Sequence, residues 1–253
     1  MREIWNFIVI QGRSRFKNTL ARKPFIFLQA IVLLLLLLPS LYGSNAVAAT
    51  QDPDPLRWHK EIKRFSWQDA KNSYPEQAIL FVGSSSIYRW KTARAFPRLP
   101  VINRGLSGSH ISDMDYYFDI LVKQYNPSKI ICYCGENDLA DKKTVAQVLA
   151  AFETFSARIK KELPETTLLF LAIKPNPLRW KIWEKMAETN RAIKNYCQSS
   201  GLCIFLDTTT PLFNVKGVPD KNLFAGDGLH LNPAGYAIWN QILAPHLTID
   251  SKQ

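Results

Sequence analysis

Four short polar segments contain the residue types that are needed to attack a carbonyl group. In chain order they are Gly83-Ser84-Ser85-Ser86, Gly105-Leu106-Ser107-Gly108, Gly135-Glu136-Asn137-Asp138 and Asp227-Gly228-Leu229-His230. A serine hydroxyl becomes a competent nucleophile when a histidine accepts its proton and a carboxylate orients that histidine. Backbone N–H groups near glycine and an asparagine amide can stabilise the oxyanion that forms during the attack. The set therefore favours acyl transfer through a serine.

Each segment alone also has an ordinary structural explanation. Serine caps helices, glycine, asparagine and aspartate favour turns, and an Asp-x-x-His pair is common on surfaces. The first segment also differs from the G-x-S-x-G turn of the α/β-hydrolases. Position favours the chemical interpretation, because the first three segments directly follow apolar runs of strand length. Open α/β sheets bind ligands at the carboxyl ends of such strands.

The apolar runs alternate with helical patterns. Strands are predicted at residues 78–82, 101–103, 129–133, 167–173 and 202–206. Helices are predicted from a capping box at Ser112 to about residue 124, from a capping box at Thr144 to about residue 163, over residues 179–199, and from Asn232 to about residue 243. This alternation predicts an α/β fold with a parallel sheet covered on both faces.

Residues 1–49 are typical of a sorting segment. Residues 1–23 hold six basic residues and one acid, residues 25–38 are apolar except for Gln29, and Ala46-Val47-Ala48 is a small-x-small cleavage pattern. The apolar stretch is short for a bilayer span of about 20 residues, although counting on to residue 42 brings it close. A cleaved signal and an uncleaved membrane tether through residues 25–42 both remain open. Either predicts an exported protein in the periplasm or cell envelope.

The rest of the chain is predicted to comprise a linker with a short amphipathic helix at residues 50–75 and one domain at residues 76–248. The basic flank accounts for five of the +11 net charges, and the remaining basic residues are scattered. No motif for nucleic-acid binding accompanies them, so a nucleic-acid partner is not expected. Weak attraction to anionic lipid or glycan is compatible with the charge.

Cysteine usage predicts no metal site. Cys132 and Cys134 would point to one face of a strand and be buried as small apolar residues. Cys197 and Cys203 flank a short turn, and the sequence leaves a disulfide between them open. No Cys/His spacing fits zinc.

Taken together and in this order, the four segments resemble the blocks of the SGNH (GDSL-type) hydrolase superfamily. The resemblance spans roughly residues 76–245. In detail the chain is similar to a bacterial subgroup with Gly-Ser-Ser-Ser in the first block and Asn-Arg-Gly-x-x-Gly in the second. The resemblance implies a flavodoxin-like α/β/α sandwich with a five-stranded parallel sheet. It also implies an esterase that needs no metal or organic cofactor.

The resemblance also implies catalytic roles. Ser85, rather than Ser84 or Ser86, would be the nucleophile, His230 its base and Asp227 the carboxylate that orients the base. Many superfamily members have aspartate before the nucleophile, where this chain has Ser84. That departure concerns the fine geometry of the site more than its activity.

The oxyanion hole implied by the resemblance comprises the backbone N–H groups of Ser85 and Gly108 and the side-chain amide of Asn137. His110 either contacts substrate or simply precedes a helix. The loop at residues 174–180 can shape the pocket, but the sequence singles out none of its residues.

The expected partner is a small-molecule, glycan or lipid ester. O-acetyl groups on glycans, lysophospholipids and acyl thioesters all remain open as substrates. Removal of small acyl groups from an envelope glycan is preferred, because the chain has no long apolar insertion to cover an acyl chain. The alternatives are an acyltransferase that uses the same site and a catalytically silent, membrane-held module that binds glycan or lipid.

Overall fold

The computed structural model describes residues 51–248 and has a five-stranded parallel sheet at its centre. The strands lie in the order β2-β1-β3-β4-β5, which is the flavodoxin-like order. Their bounds are β1 Ile79–Gly83, β2 Val101–Gly105, β3 Lys129–Tyr133, β4 Thr167–Leu171 and β5 Ile204–Leu206. The predicted fold class is confirmed.

Helices cover both faces of the sheet. In chain order they are α1 His59–Asp69, α2 Ser85–Arg89, α3 Thr92–Ala95, α4 Ile111–Tyr116, α5 Phe118–Leu121, α6 Glu136–Ala140, α7 Val145–Glu162, α8 Trp183–Ser200 and α9 Pro233–Leu243. Phe152 of α7 and Ile193 of α8 belong to the core on one face. Ile87 of α2 and Trp239 of α9 belong to the core on the other. The order of strands reverses beside β1, so a crevice opens between the carboxyl ends of β1 and β3.

Of the two predicted capping boxes, the structure contains one and lacks the other. The box at Thr144 is confirmed, since the N–H of Gln147 donates to Thr144 Oγ1 at 3.2 Å and the N–H of Thr144 donates to Gln147 Oε1 at 2.8 Å. The box at Ser112 is wrong. The helix begins two residues earlier than predicted, with His110 at its N-cap, and the N–H of His110 donates to Asp113 at 2.8 Å.

The helix predicted to reach about residue 124 ends at Tyr116. The chain continues as α5 and a 3-10 turn at Lys123–Tyr125. The Ser112 hydroxyl donates instead to Asp52, 60 residues earlier, at 2.7 Å. A partner so distant in sequence cannot be seen in a local capping pattern.

The first residues that the structure describes pack on the domain, although the sequence predicts a linker there. Asp52 forms an ion pair with Lys143, and the Tyr117 hydroxyl donates to the carbonyl of Pro55 at 3.0 Å. The predicted sorting segment at residues 1–49 lies outside the described residues. Within residues 51–248, no helix has the length and apolar character to cross a bilayer.

The four cysteines fall into two pairs. Cys197 and Cys203 form a disulfide between the end of α8 and the start of β5, with Cα atoms 4.9 Å apart. Cys132 and Cys134 are buried free thiols, as predicted. Burial raises the pKa of both thiols, which makes them poor nucleophiles.

Candidate active site

Three of the predicted site residues lie together at the carboxyl edge of the sheet. Ser85 is the first residue of α2, two residues after β1, and its Oγ lies 2.9 Å from Nε2 of His230. The other ring nitrogen, Nδ1, lies 2.6 Å from Asp227 Oδ2. The serine and the histidine are 145 positions apart in sequence, so the fold alone creates this line of hydrogen bonds.

A tight turn before α9 holds the carboxylate in place. Oδ1 of Asp227 accepts the backbone N–H groups of Leu229 at 2.9 Å and His230 at 3.0 Å, which leaves Oδ2 for the imidazole. Burial tends to raise the pKa of Asp227, but hydrogen bonds from the backbone and ring of His230 outweigh it and hold the pKa below its ordinary value. The carboxylate is therefore ionised across the neutral range and can orient the ring so that Nε2 faces Ser85.

The first and second segments provide two backbone donors at this edge. Gly108 has a φ of +93°, a conformation that glycine adopts more readily than other residues. Within residues 51–248, the N–H groups of Ser85 and Gly108 donate to no protein acceptor. They are therefore available to a ligand.

The amide of Asn137 is oriented from both ends. Its Nδ2 donates one hydrogen to the carbonyl of Ser109 at 3.1 Å, and its Oδ1 accepts from the guanidinium of Arg179 at 3.0 Å. Because a guanidinium only donates, this contact fixes which end of the amide is oxygen. The second hydrogen on Nδ2 remains available to an oxyanion.

A buried charged cluster lies beside this amide. Glu136 accepts from Lys174 Nζ at 2.6 Å, from Asn176 Nδ2 at 3.0 Å and from Arg179 at 3.2 Å, and it also accepts the hydroxyl of Tyr133. Burial disfavours the charged form of Glu136, but the charge of Lys174 and these hydrogen bonds hold its pKa below the ordinary value. The guanidinium of Arg179 thus links the buried carboxylate of Glu136 to the side-chain amide of Asn137.

Sequence reasoning missed the roles of Glu136, Lys174 and Arg179 in this cluster. The available signal was a lysine directly after an apolar strand, because a charged residue at such a position needs a partner. Lys174 is 1% exposed. Its partner, Glu136, lies 38 positions earlier and directly precedes Asn137.

His110 is a buried structural residue. It immediately precedes α4, and its Nε2 lies 2.8 Å from Asp141. Ligand atoms of Asp52, His110 and Asp138 approach one another within 4.8 Å, as they would around a metal ion. The ammonium of Lys143 already pairs with both carboxylates. The positive charge of Lys143 therefore accounts for the close approach of the two carboxylates.

Ser84 and Gly105 position α2. Ser84 is 2% exposed, and its N–H donates to the carbonyl of Tyr133 at 2.9 Å, which ties the start of the helix to β3. A Cβ on Gly105 would lie 2.3 Å from the backbone nitrogen of Tyr88, so only glycine lets β2 approach the helix this closely. The Tyr236 hydroxyl donates to the carbonyl of Ser86 at 2.8 Å and joins the helix to α9.

Fold and site together define a flavodoxin-like α/β protein in which hydrogen bonds link a serine, a histidine and an aspartate at the carboxyl edge of the sheet. The model of the GDSL-like lipase/acylhydrolase family matches residues 82–238, and the chain belongs to that family. It is therefore a hydrolase that acts on ester bonds. No curated protein gives a significant sequence match.

Solved structures from three bacteria share this fold. A candidate platelet activating factor from Streptococcus pneumonia has a TM-score of 0.69 at 23% identity, over 76% of this chain and 94% of its own. A GDSL-like lipase from Bacteroides thetaiotaomicron has a TM-score of 0.64 at 19% identity, over 74% and 96%. A catalytic mutant of Axe2, an acetylxylan esterase from Geobacillus stearothermophilus, has a TM-score of 0.57 at 16% identity, over 70% and 97%.

Proposed function

We propose that the protein is an exported serine esterase that removes small acyl groups from a glycan through an acyl-enzyme. The observation that carries the proposal is the line of hydrogen bonds from Ser85 Oγ to His230 Nε2 and from His230 Nδ1 to Asp227, at 2.9 and 2.6 Å. In Axe2, variants of a serine and of an aspartate are described as catalytic mutants. Its acetylxylan substrate supports the preference for a small acyl group on a sugar.

In the proposed mechanism, neutral His230 accepts the hydroxyl proton of Ser85 as Oγ attacks the ester carbon. The carbonyl oxygen becomes an oxyanion, which receives hydrogen bonds from the N–H groups of Ser85 and Gly108 and from the free amide hydrogen of Asn137. The intermediate collapses as protonated His230 gives its proton to the departing alcohol, and the acyl group remains on Ser85. Water, deprotonated by the same imidazole, then releases the acid and restores the serine.

Export is part of the proposal. The basic and apolar segment at residues 1–49 supports it, and so does the Cys197–Cys203 disulfide, since stable disulfides are typical of oxidising compartments. A tether through residues 25–42 would keep the enzyme at the envelope. Protease protection of the full chain in intact cells, compared with permeabilised cells, tests this part separately.

Hydrolysis of p-nitrophenyl acetate and longer-chain esters by the full chain tests the enzymatic part. Ser85→Ala is expected to remove the turnover, and a fluorophosphonate probe is expected to label Ser85. Ser86→Ala is the matched control, because the Ser86 hydroxyl is buried and has no hydrogen-bond partner within residues 51–248. Turnover that survives Ser85→Ala, or a label on Ser86, would remove the assignment of the nucleophile.

A further inference from the structure

The chain segment that contains the nucleophile carries positive charge and no acidic residue of its own. No acidic residue occurs between Glu76 and Asp113, a stretch that includes β1, the serine segment and β2. Four exposed basic residues of this stretch form what we call the cationic ridge: Arg89, Lys91, Arg94 and Arg98. Surface charges are usually balanced by nearby opposite charges, so a run of one sign sets up an attractive potential for anions.

The ridge is nearly free of internal ion pairs. Arg89 lies 3.4 Å from Asp227, but within residues 51–248 no carboxylate forms an ion pair with Lys91, Arg94 or Arg98. In contrast, Arg104 in the same stretch is buried and paired with Asp69. The ridge cations are therefore available to an external anion.

Grooves lie on both sides of the ridge. One, of about 430 Å³, is lined by residues that include Arg64, Tyr88, Lys91, Arg94 and Gly105. Trp90, Lys91 and Arg94 also line the other groove, of about 420 Å³, which continues to Leu231, Tyr236 and Asn240. A ligand that crossed from one groove to the other would pass directly over the ammonium and the guanidinium of the shared wall.

Each groove is lined by residues that are close in sequence to catalytic residues, and Arg89, which lines the second groove, lies 3.4 Å from Asp227. Tyr88 and Arg89 lie on α2, the helix that begins at Ser85. Leu231 directly follows His230. An extended ligand held in the grooves would therefore bring a substituent close to the serine.

We propose that the cationic ridge and its two grooves bind an acidic polysaccharide, so that the ester cleaved at Ser85 is an O-acyl group on an anionic glycan. This inference rests on the proposed esterase function and specifies its substrate. Basic side chains would pair with carboxylates repeated along the polymer. The exposed ring of Tyr88 and the amide of Asn240 would add the aromatic and polar contacts typical of ligand clefts.

The ridge favours a glycan over a membrane surface. Binding to a bilayer needs apolar side chains that enter the acyl boundary as well as basic residues. From Ser85 to Arg98, Tyr88 is the one large hydrophobic side chain that is well exposed. Two grooves that share a basic wall also suit a polymer longer than a single headgroup.

The test measures hydrolysis of two substrates by the full chain, which is kept in detergent solution. One is O-acetylated polygalacturonate, which is anionic, and the other is p-nitrophenyl acetate, which is neutral and small. In the variant Lys91→Gln/Arg94→Gln, we expect kcat/KM for the polymer to fall about five- to tenfold more than kcat/KM for the small ester, since each exposed pair contributes up to about 1 kcal/mol. The extra loss should appear in KM. It should also shrink in 0.5 M NaCl, because salt screens exposed charges.

Lys161→Gln/Lys194→Gln is the matched control. It removes the same charge from exposed positions on α7 and α8, which pack against the opposite face of the sheet. Equal losses in both double variants would overturn the ridge as a specific site. So would a wild-type enzyme that processes acetylated linear xylan without glucuronic acid side groups, a neutral polymer, as efficiently as the anionic one.

Binding measured without turnover separates this proposal from the esterase proposal. Ser85→Ala should bind de-esterified polygalacturonate, and removal of Lys91 and Arg94 should weaken that binding by a similar factor. If no ester is turned over but this binding persists, the esterase function fails and the anion site stands. If esters are turned over but the polymer does not bind, or if only vesicles containing phosphatidylglycerol bind through the ridge, the anionic-glycan proposal is overturned.

Discussion

Replacement of Arg179 by alanine should slow catalysis through its effect on Asn137. The guanidinium donates to Oδ1 of Asn137 at 3.0 Å and to Glu136 at 3.2 Å. Without it, one end of the amide loses its partner, while Nδ2 still bonds the carbonyl of Ser109 at 3.1 Å. The proposed oxyanion donor would therefore lose alignment without being removed.

The size of the effect follows from the contacts that are lost. A hydrogen bond that involves a charged group contributes about 1.5–3 kcal/mol, which corresponds to roughly 10- to 100-fold in rate. Arg179 is partly exposed, with 23% of its side chain accessible, so solvent screening favours the lower half of that range. Asn137→Ala, which removes the donor itself, should cost about 10²–10³ in kcat. Lys174 still pairs with Glu136 in the Arg179 variant, so we expect it to fold.

The assay is a double-mutant cycle on kcat for p-nitrophenyl acetate, with Arg191→Ala as the control for loss of an exposed arginine. If Arg179 acts by positioning Asn137, its replacement should change kcat by less than about twofold once Asn137 is already alanine. An unchanged 10-fold loss in that background would refute the reasoning and show that Arg179 acts independently of the amide.

Three further predictions concern the scaffold. Gly105→Ala places a Cβ 2.3 Å from a backbone nitrogen of α2, so it should displace the helix that begins at Ser85 and lower kcat about tenfold. Urea unfolding should show a loss of about 1–3 kcal/mol in the free energy of unfolding. Gly226→Ala is the control, because a Cβ there meets no atom within 4 Å. Replacing Cys197 and Cys203 by serine should lower the free energy of unfolding by about 2 kcal/mol, because the loop they close is short. Because the folded pKa of Glu136 lies below its ordinary value of 4.5, its charge stabilises the fold above that pH, and this contribution is lost as the pH falls through the folded pKa. The free energy of unfolding should therefore fall more steeply between pH 7 and pH 3 for the wild type than for Glu136→Gln. Identical pH dependences of the two proteins would contradict this assignment.

The sequence by itself determined the features that depend on neighbours along the chain. Apolar runs separated by helical patterns specified a parallel α/β sheet, and β3 occupies the predicted residues 129–133. The helix starts at Thr144 and Asn232 were also predictable, because a cap bonds N–H groups two or three residues away. The order of the polar segments placed Ser85 and His230 on one edge of the sheet.

The tertiary structure decided which distant side chains meet. The capping box at Ser112 failed because its hydroxyl found Asp52 in a segment predicted to be a linker. Lys174 and Arg179 converge on Glu136 from a loop about 40 positions away, and only the packing of β3 beside β4 brings these charges together. Backbone hydrogen bonds and helix caps are local and leave a pattern in sequence. Ion pairs between residues that follow separate strands depend on strand register and side-chain direction, which only the folded chain fixes.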